Sequence, residues 1–109
     1  MEYKTIILPY FRKQLKHYIK KYRSLKGAVI KELGGFDKKK AAHIGNNVYK
    51  MRLKCDDITK GKSKSFRLII LIIEADNFLV PITLYFKGDS ENISKKELND
   101  HLEKILLEL

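Results

Sequence analysis

The sequence predicts an α+β domain in which a small, mostly antiparallel sheet is backed by two N-terminal helices plus a C-terminal helix, in the order β-α-α-β-β-β-α. Three observations predict it. Tyr49-Lys50-Met51-Arg52-Leu53-Lys54 alternates between uncharged and cationic residues with the period of a strand. The stretch from Phe66 to Phe86 supplies two apolar runs around a turn. Apolar residues at helical spacing flank these strands on both sides.

Taken in order, Glu2 to Leu8 is a short strand with Ile6-Ile7-Leu8 closed off by Pro9. Phe11, Leu15, Tyr18, Ile19 and Tyr22 then form the apolar stripe of a first helix, whose outer face carries Arg12, Lys13, Lys16, His17, Lys20 and Lys21. A shorter helix follows from about Leu25 to Leu33 and ends at Gly34-Gly35. Phe36 to Asn47 reads as loop, containing Lys38-Lys39-Lys40 and the turn signal Gly45-Asn46-Asn47 before the basic strand. Asp56 to Ser65 is polar and lysine-rich, which suits a loop between strands. Phe66 to Ile73 is apolar on both faces apart from Arg67, so it belongs in the middle of the sheet. Glu74-Ala75-Asp76-Asn77 turns the chain, and Phe78 to Phe86 returns antiparallel, with Pro81 requiring an edge or a bulge. Ser94-Lys95-Lys96-Glu97 has capping-box spacing, and Leu98, Leu102, Ile105, Leu106 and Leu109 continue as the apolar face of a terminal helix.

A chain of 109 residues, 44% hydrophobic, is expected to fold as one domain spanning 1–109 around one modest core. Cys55 has no partner for an internal disulfide, no Cys/His set has zinc spacing, and the first residues lack the apolar stretch of a signal peptide. A reducing cytosol fits. Arg67, Glu74, Asp76, Asn77 and Pro81 interrupt the apolar stretch 66–86, which argues for two buried strands rather than a membrane span.

The net charge of +10 is unevenly placed: residues 1–65 carry a balance of +13 and residues 66–109 one of −3. Such asymmetry points to nucleic acid, the ribosome or an acidic protein as partner of the first two-thirds. As a strand, residues 49–54 put Lys50, Arg52 and Lys54 on one face, where like charges repel and folding alone asks for none of them. A polyanion across the sheet explains the row; a solvated amphipathic strand is the plainer alternative. Arg67, beside Phe66 and ahead of an apolar run, must either reach an edge, pair with Glu or Asp, or meet an anion. Tyr85 is either a core-edge aromatic or a stacking platform for a base. Lys60, Lys62 and Lys64 are either phosphate contacts or part of a solvated loop. His17, His43 and His101 lie far apart in the pattern and are expected at surface or packing positions.

Three segments carry a family resemblance: Val48-Tyr49-Lys50-Met51-Arg52-Leu53-Lys54, then Lys60-Gly61-Lys62-Ser63-Lys64-Ser65-Phe66-Arg67-Leu68-Ile69, then Ile82-Thr83-Leu84-Tyr85-Phe86-Lys87. Their order and spacing resemble the RelE/ParE superfamily of bacterial type II toxins, closest to the RelE- and HigB-type members that cut mRNA on the ribosome. The resemblance implies a metal-independent endoribonuclease without cofactor, held silent by an acidic antitoxin that covers the basic face. It further implies that any contact with promoter DNA is made only through the antitoxin complex. By the same resemblance Lys50, Arg52, Arg67 and Lys87 are the catalytic cations, and Lys54, Lys60, Lys62, Lys64 and Tyr85 bind RNA. Of the crowded cations a lysine can lose its proton and an arginine essentially cannot, so Lys50 is the expected base and Arg52 the charge stabiliser. The chain departs from the family pattern at Arg52, where some members have lysine, and at Ile93, where some carry tyrosine. Its 60–65 loop lacks the paired glycines common in the family, and Pro81 is unexpected in the last strand. A gyrase-poisoning toxin of the ParE branch and a degenerate nucleic-acid-binding domain are the alternative functions.

Overall fold

In a computed structural model that describes residues 3–53, 65–87 and 92–109, the chain forms an α+β fold of three helices and one five-stranded sheet. The elements are β1 (Lys4–Thr5), α1 (Pro9–Ile19), α2 (Leu25–Gly34), β2 (Ala42–Gly45), β3 (Val48–Leu53), β4 (Phe66–Ile73), β5 (Phe78–Phe86) and α3 (Lys95–Glu108). The spatial order is β1-β5-β4-β3-β2, antiparallel throughout except where β1 pairs parallel with β5.

Two boundaries differ from the sequence expectation. The first strand is two residues long rather than seven, because Pro9 occupies the first turn of α1 and Ile6 to Leu8 serve as its approach. An additional strand, β2, lies inside the segment expected to be loop and pairs with β3 across the Gly45-Asn46-Asn47 turn. All four of its residues are exposed, so it carries no apolar alternation from which a strand could be read. Asn47, at φ 57°, takes the left-handed backbone that asparagine tolerates in such turns. Asn77 does the same, at φ 55°, after the short 3-10 turn Glu74–Asp76 between β4 and β5.

The core forms around β4, whose residues Phe66 to Ile72 are all buried. Phe66, Leu68, Ile70 and Ile72 share one face, and that face meets the helices. Phe66 packs edge-on against Tyr18 and Tyr22, with ring centroids 5.1 Å away in both cases, while Phe11, Leu15, Leu25 and Val29 close the core from α1 and α2. Tyr22, although past the end of α1, completes the apolar stripe anticipated from its spacing.

Pro81 is accommodated by both devices the sequence allowed. Ile69 pairs with Thr83 but Ile70 pairs with Pro81, so Ile82 is the extra residue of a bulge. β1 reaches only Phe78 and Leu79, so among the described residues the outer edge of β5 has no strand partner at Pro81. α1 lies along this edge, and Gln14 satisfies the groups the bulge frees. Its amide donates to the Ile82 carbonyl at 3.1 Å, and its carbonyl accepts from the hydroxyl of Thr83, which is 2% exposed. Gln14→Leu leaves that carbonyl and hydroxyl buried without partners. It is expected to cost about 1–3 kcal/mol in urea unfolding, and an unchanged midpoint would show that Gln14 does not hold the bulge.

α3 begins at the Ser94 N-cap, whose hydroxyl accepts from the Glu97 amide at 3.1 Å, as the capping-box spacing anticipates. The helix docks on α1 through a hydrogen bond between the Tyr10 hydroxyl and His101 Nδ1 and through Glu108, whose carboxylate accepts from the Tyr10 amide at 3.0 Å. Burial pushes the His101 imidazole below its usual pKa of 6.5; Lys104 lowers it further, and Glu97 and Asp100 oppose both. The unfolded chain therefore binds this proton more readily than the native one. The contribution of His101 to stability is complete above about pH 6.5 and is lost as pH falls through the depressed native value. Thermal unfolding followed between about pH 7 and 5 should show a steeper loss of Tm for the native sequence than for His101→Asn. Parallel curves would mean that His101 does not titrate with folding.

Candidate functional site

The pairing of three strands builds the site. Arg52 of β3 pairs with Arg67 of β4, and Arg67 pairs with Tyr85 of β5, so the three side chains form a row across one face of the sheet. On the next rung of the same face Lys50 pairs with Ile69, which pairs with Thr83. The opposite parity, Leu53, Phe66 and Phe86, turns toward the helices. Over residues 49–53 the alternation places Lys50 and Arg52 on this face as expected: Arg52 is exposed and Lys50 half-buried.

Arg67 is the least ordinary residue of the face. It is a cation only 7% exposed, and its cross-strand neighbour on one side is a second arginine. Its guanidinium donates to the Ser65 hydroxyl, and among the described residues no carboxylate pairs with it. The sequence left an acidic partner open; the described structure offers like charge instead. Burial lowers the Arg67 guanidinium below its usual range, Arg52 adds repulsion, and Tyr85 opposes both. An arginine remains charged under these conditions, so its unmet demand is for an anion.

Tyr85 closes the row. Its hydroxyl is buried and has no hydrogen-bond partner of good geometry among the described residues. Burial raises its pKa, while Arg67 and the backbone of Ile93 act in the other direction. Lys87 lies one residue beyond β5, yet its amide donates to the Ser65 carbonyl at 2.9 Å, which extends the β4–β5 ladder by one bond. By strand parity it belongs to the face of Arg67 and Tyr85. Lys50, Arg52, Arg67, Tyr85 and Lys87 are therefore brought together on one surface. Lys54, Lys60, Lys62 and Lys64 lie outside the described residues.

The histidines divide. His43 stacks on Tyr49, 4.9 Å between centroids at 30°, a packing position as anticipated. His17 and His101, far apart in sequence, both line one open cleft of about 350 Å³ between α1, the end of β5 and the start of α3, next to Tyr85. No spacing signal links them, because their meeting depends on how α3 docks on α1. Among the described residues, no group of three or more His, Cys, Asp or Glu side chains is placed to hold a metal ion.

No protein-family model matches the sequence, and no curated protein matches it. Among solved structures the chain is similar to the toxin RelE of E. coli, in a mutant with two arginines changed to alanine and in the free state. The match covers 95% of this chain and 97% of that one, with a TM-score of 0.52 and 16% sequence identity. Nearly the whole architecture is shared while five residues in six differ, and the chain therefore has the RelE-like fold.

Proposed function

We propose that this chain is the toxin of a type II toxin–antitoxin pair and acts as a ribosome-dependent mRNA endoribonuclease that inhibits translation. The observation that carries the reading is the row Arg52–Arg67–Tyr85, with a nearly buried arginine that meets no carboxylate among the described residues. A phosphodiester supplies what this row lacks. Its charge would be taken up by Arg67, and Arg52 would add to the stabilisation as the phosphate gains negative charge. The RNA 2′-hydroxyl attacks the neighbouring phosphorus, the bond to the 5′-oxygen breaks, and the products are a cyclic phosphate and a free 5′-hydroxyl. Lys50, on the same face one rung away, takes the 2′ proton in this reading, and Lys87 returns one to the leaving oxygen. Side-chain cations supply all the charge stabilisation, without a metal or cofactor. Tyr85 and the lysines at 54, 60, 62 and 64 hold the RNA.

The partners follow from the same face. An mRNA seated in the ribosomal A site presents its backbone to the cations, and an acidic antitoxin silences the toxin by covering them. Contact with promoter DNA belongs to the toxin–antitoxin complex. The cytoplasm, where translation takes place, is the matching location, and among the described residues no helix is long and apolar enough to cross a membrane.

Primer extension on a defined mRNA, free or programmed on ribosomes, tests the reading. Cuts within the A-site codon, leaving 5′-hydroxyl ends, are expected only in the ribosome-bound sample. Arg67→Ala should lower cleavage at least about a hundredfold, and near-native cutting by that variant would remove Arg67 from the mechanism. Lys50→Arg keeps the charge but cannot act as a base, so it should also abolish turnover while leaving ribosome binding in place. No cuts from folded native protein, with or without ribosomes, would refute the nuclease, and DNA damage signalling in cells expressing it would then favour the gyrase-poisoning reading.

A further inference from the structure

We propose that the cleft between α1, the end of β5 and the first turns of α3 is a nucleobase subsite that selects guanine, with Glu97 and His101 reading the edge of the base. The proposal rests on the ribonuclease reading, which puts an RNA backbone on the adjacent row. Tyr85 belongs to both: it ends the cationic row and lines the cleft. A nucleotide whose phosphate meets Arg67 therefore has a cavity of about 350 Å³ beside it, within the size range of small-molecule sites. Tyr18, Leu84 and Ile93 give this cavity aromatic and aliphatic walls suited to a flat ring.

The polar groups of the cleft are arranged with an order. Glu97 and His101 stand four residues apart on α3, so they share one helix face with about 5–6 Å between Cβ atoms. Each is oriented from elsewhere. The Ser94 hydroxyl donates to Glu97 Oε1 at 3.2 Å, and the Tyr10 hydroxyl bonds His101 Nδ1 from α1. We assign Tyr10 as donor to Nδ1, so that neutral His101 carries its own hydrogen on Nε2, and burial favours the neutral form. The helix thus offers a donor, Nε2–H, one turn from an acceptor-only carboxylate. The edge of guanine presents O6 as acceptor and then N1–H and N2–H as two adjacent donors. O6 matches His101, and the two donors match the carboxylate of Glu97. Adenine, cytosine and uracil each bring one donor position to that carboxylate and set an acceptor next to it, against the second carboxylate oxygen.

The test is an NMR titration of the intact chain with the four nucleoside 3′-monophosphates, each added separately. 3′-GMP should bind at least about fivefold tighter than the other three, the low end of what a bidentate base contact discriminates, and should shift the signals of Leu84, Ile93, Glu97 and His101. Glu97→Gln offers one acceptor and one donor in place of two acceptors, so it should abolish the preference for 3′-GMP over 3′-UMP, whereas Arg67→Ala should weaken all four through the phosphate. Equal affinities, or shifts confined to β3 with the cleft silent, would overturn the subsite. Cleavage on programmed ribosomes separates the two claims: cutting with a silent cleft sinks the subsite alone. Guanine-selective shifts without any cutting keep the subsite and sink the nuclease.

Discussion

Everything in this molecule hangs on the pairing of β4 with a strand on either side. A strand buried over seven consecutive residues has no solvated face, so its backbone groups must be paired along both edges and its side chains packed above and below. β3 and β5 supply the pairing, and the helices supply the packing on the Phe66 side. The single cation in this strand sits at its start, and the register that completes the core also fixes Arg67 between Arg52 and Tyr85. A one-residue slip would send Arg67 among the aromatic rings of Tyr18, Tyr22 and Phe86. Core and candidate site are therefore two faces of one constraint.

Local chemistry made most of the elements readable. The alternation at 49–54, the apolar run at 66–73, the capping serine at 94 and the spacing of Phe11 to Tyr22 all rest on side chains adjacent along the chain, and all of these elements form. β2 was illegible because its four residues are exposed and owe their pairing to β3 alone. The grouping of Lys50, Arg52 and Arg67 was partly legible: two of the three lie on one strand, and the third opens the next. The shared cleft of His17 and His101 could not be read, since it is set by the docking of two helices whose histidines lie 84 residues apart in sequence. The pairing of Arg67 was beyond reach as well, because parity assigns a face but not whether a carboxylate waits there.

The comparison with RelE shows how little of the sequence this architecture requires. At 16% identity the fold rests on patterns of the kind this chain carries, strand alternation and helix stripes, rather than on particular residues. Such patterns accept many residues per position, which is why a fold is retained over 95% of the chain when no family model recognises the sequence. The first two-thirds of the chain carries a balance of +13, and a field of that size reaches a polyanion before any single contact forms, with a strength that falls as salt is added.

The bulge at Ile82 has a consequence for the life of the chain in solution. β5 is one of the most apolar described strands, and past Leu79 no strand lies beside its outer edge among the described residues. Bare edges of this kind recruit strands from other molecules. Here the bulge interrupts the ladder, Pro81 withholds a donor, and α1 lies over the rest with Gln14 on the freed carbonyl. A chain whose first helix has not yet docked exposes β5 as a template for its neighbours. The first helix is thus a guard against aggregation as much as a part of the core, and the order in which the chain folds matters as well as the stability it reaches.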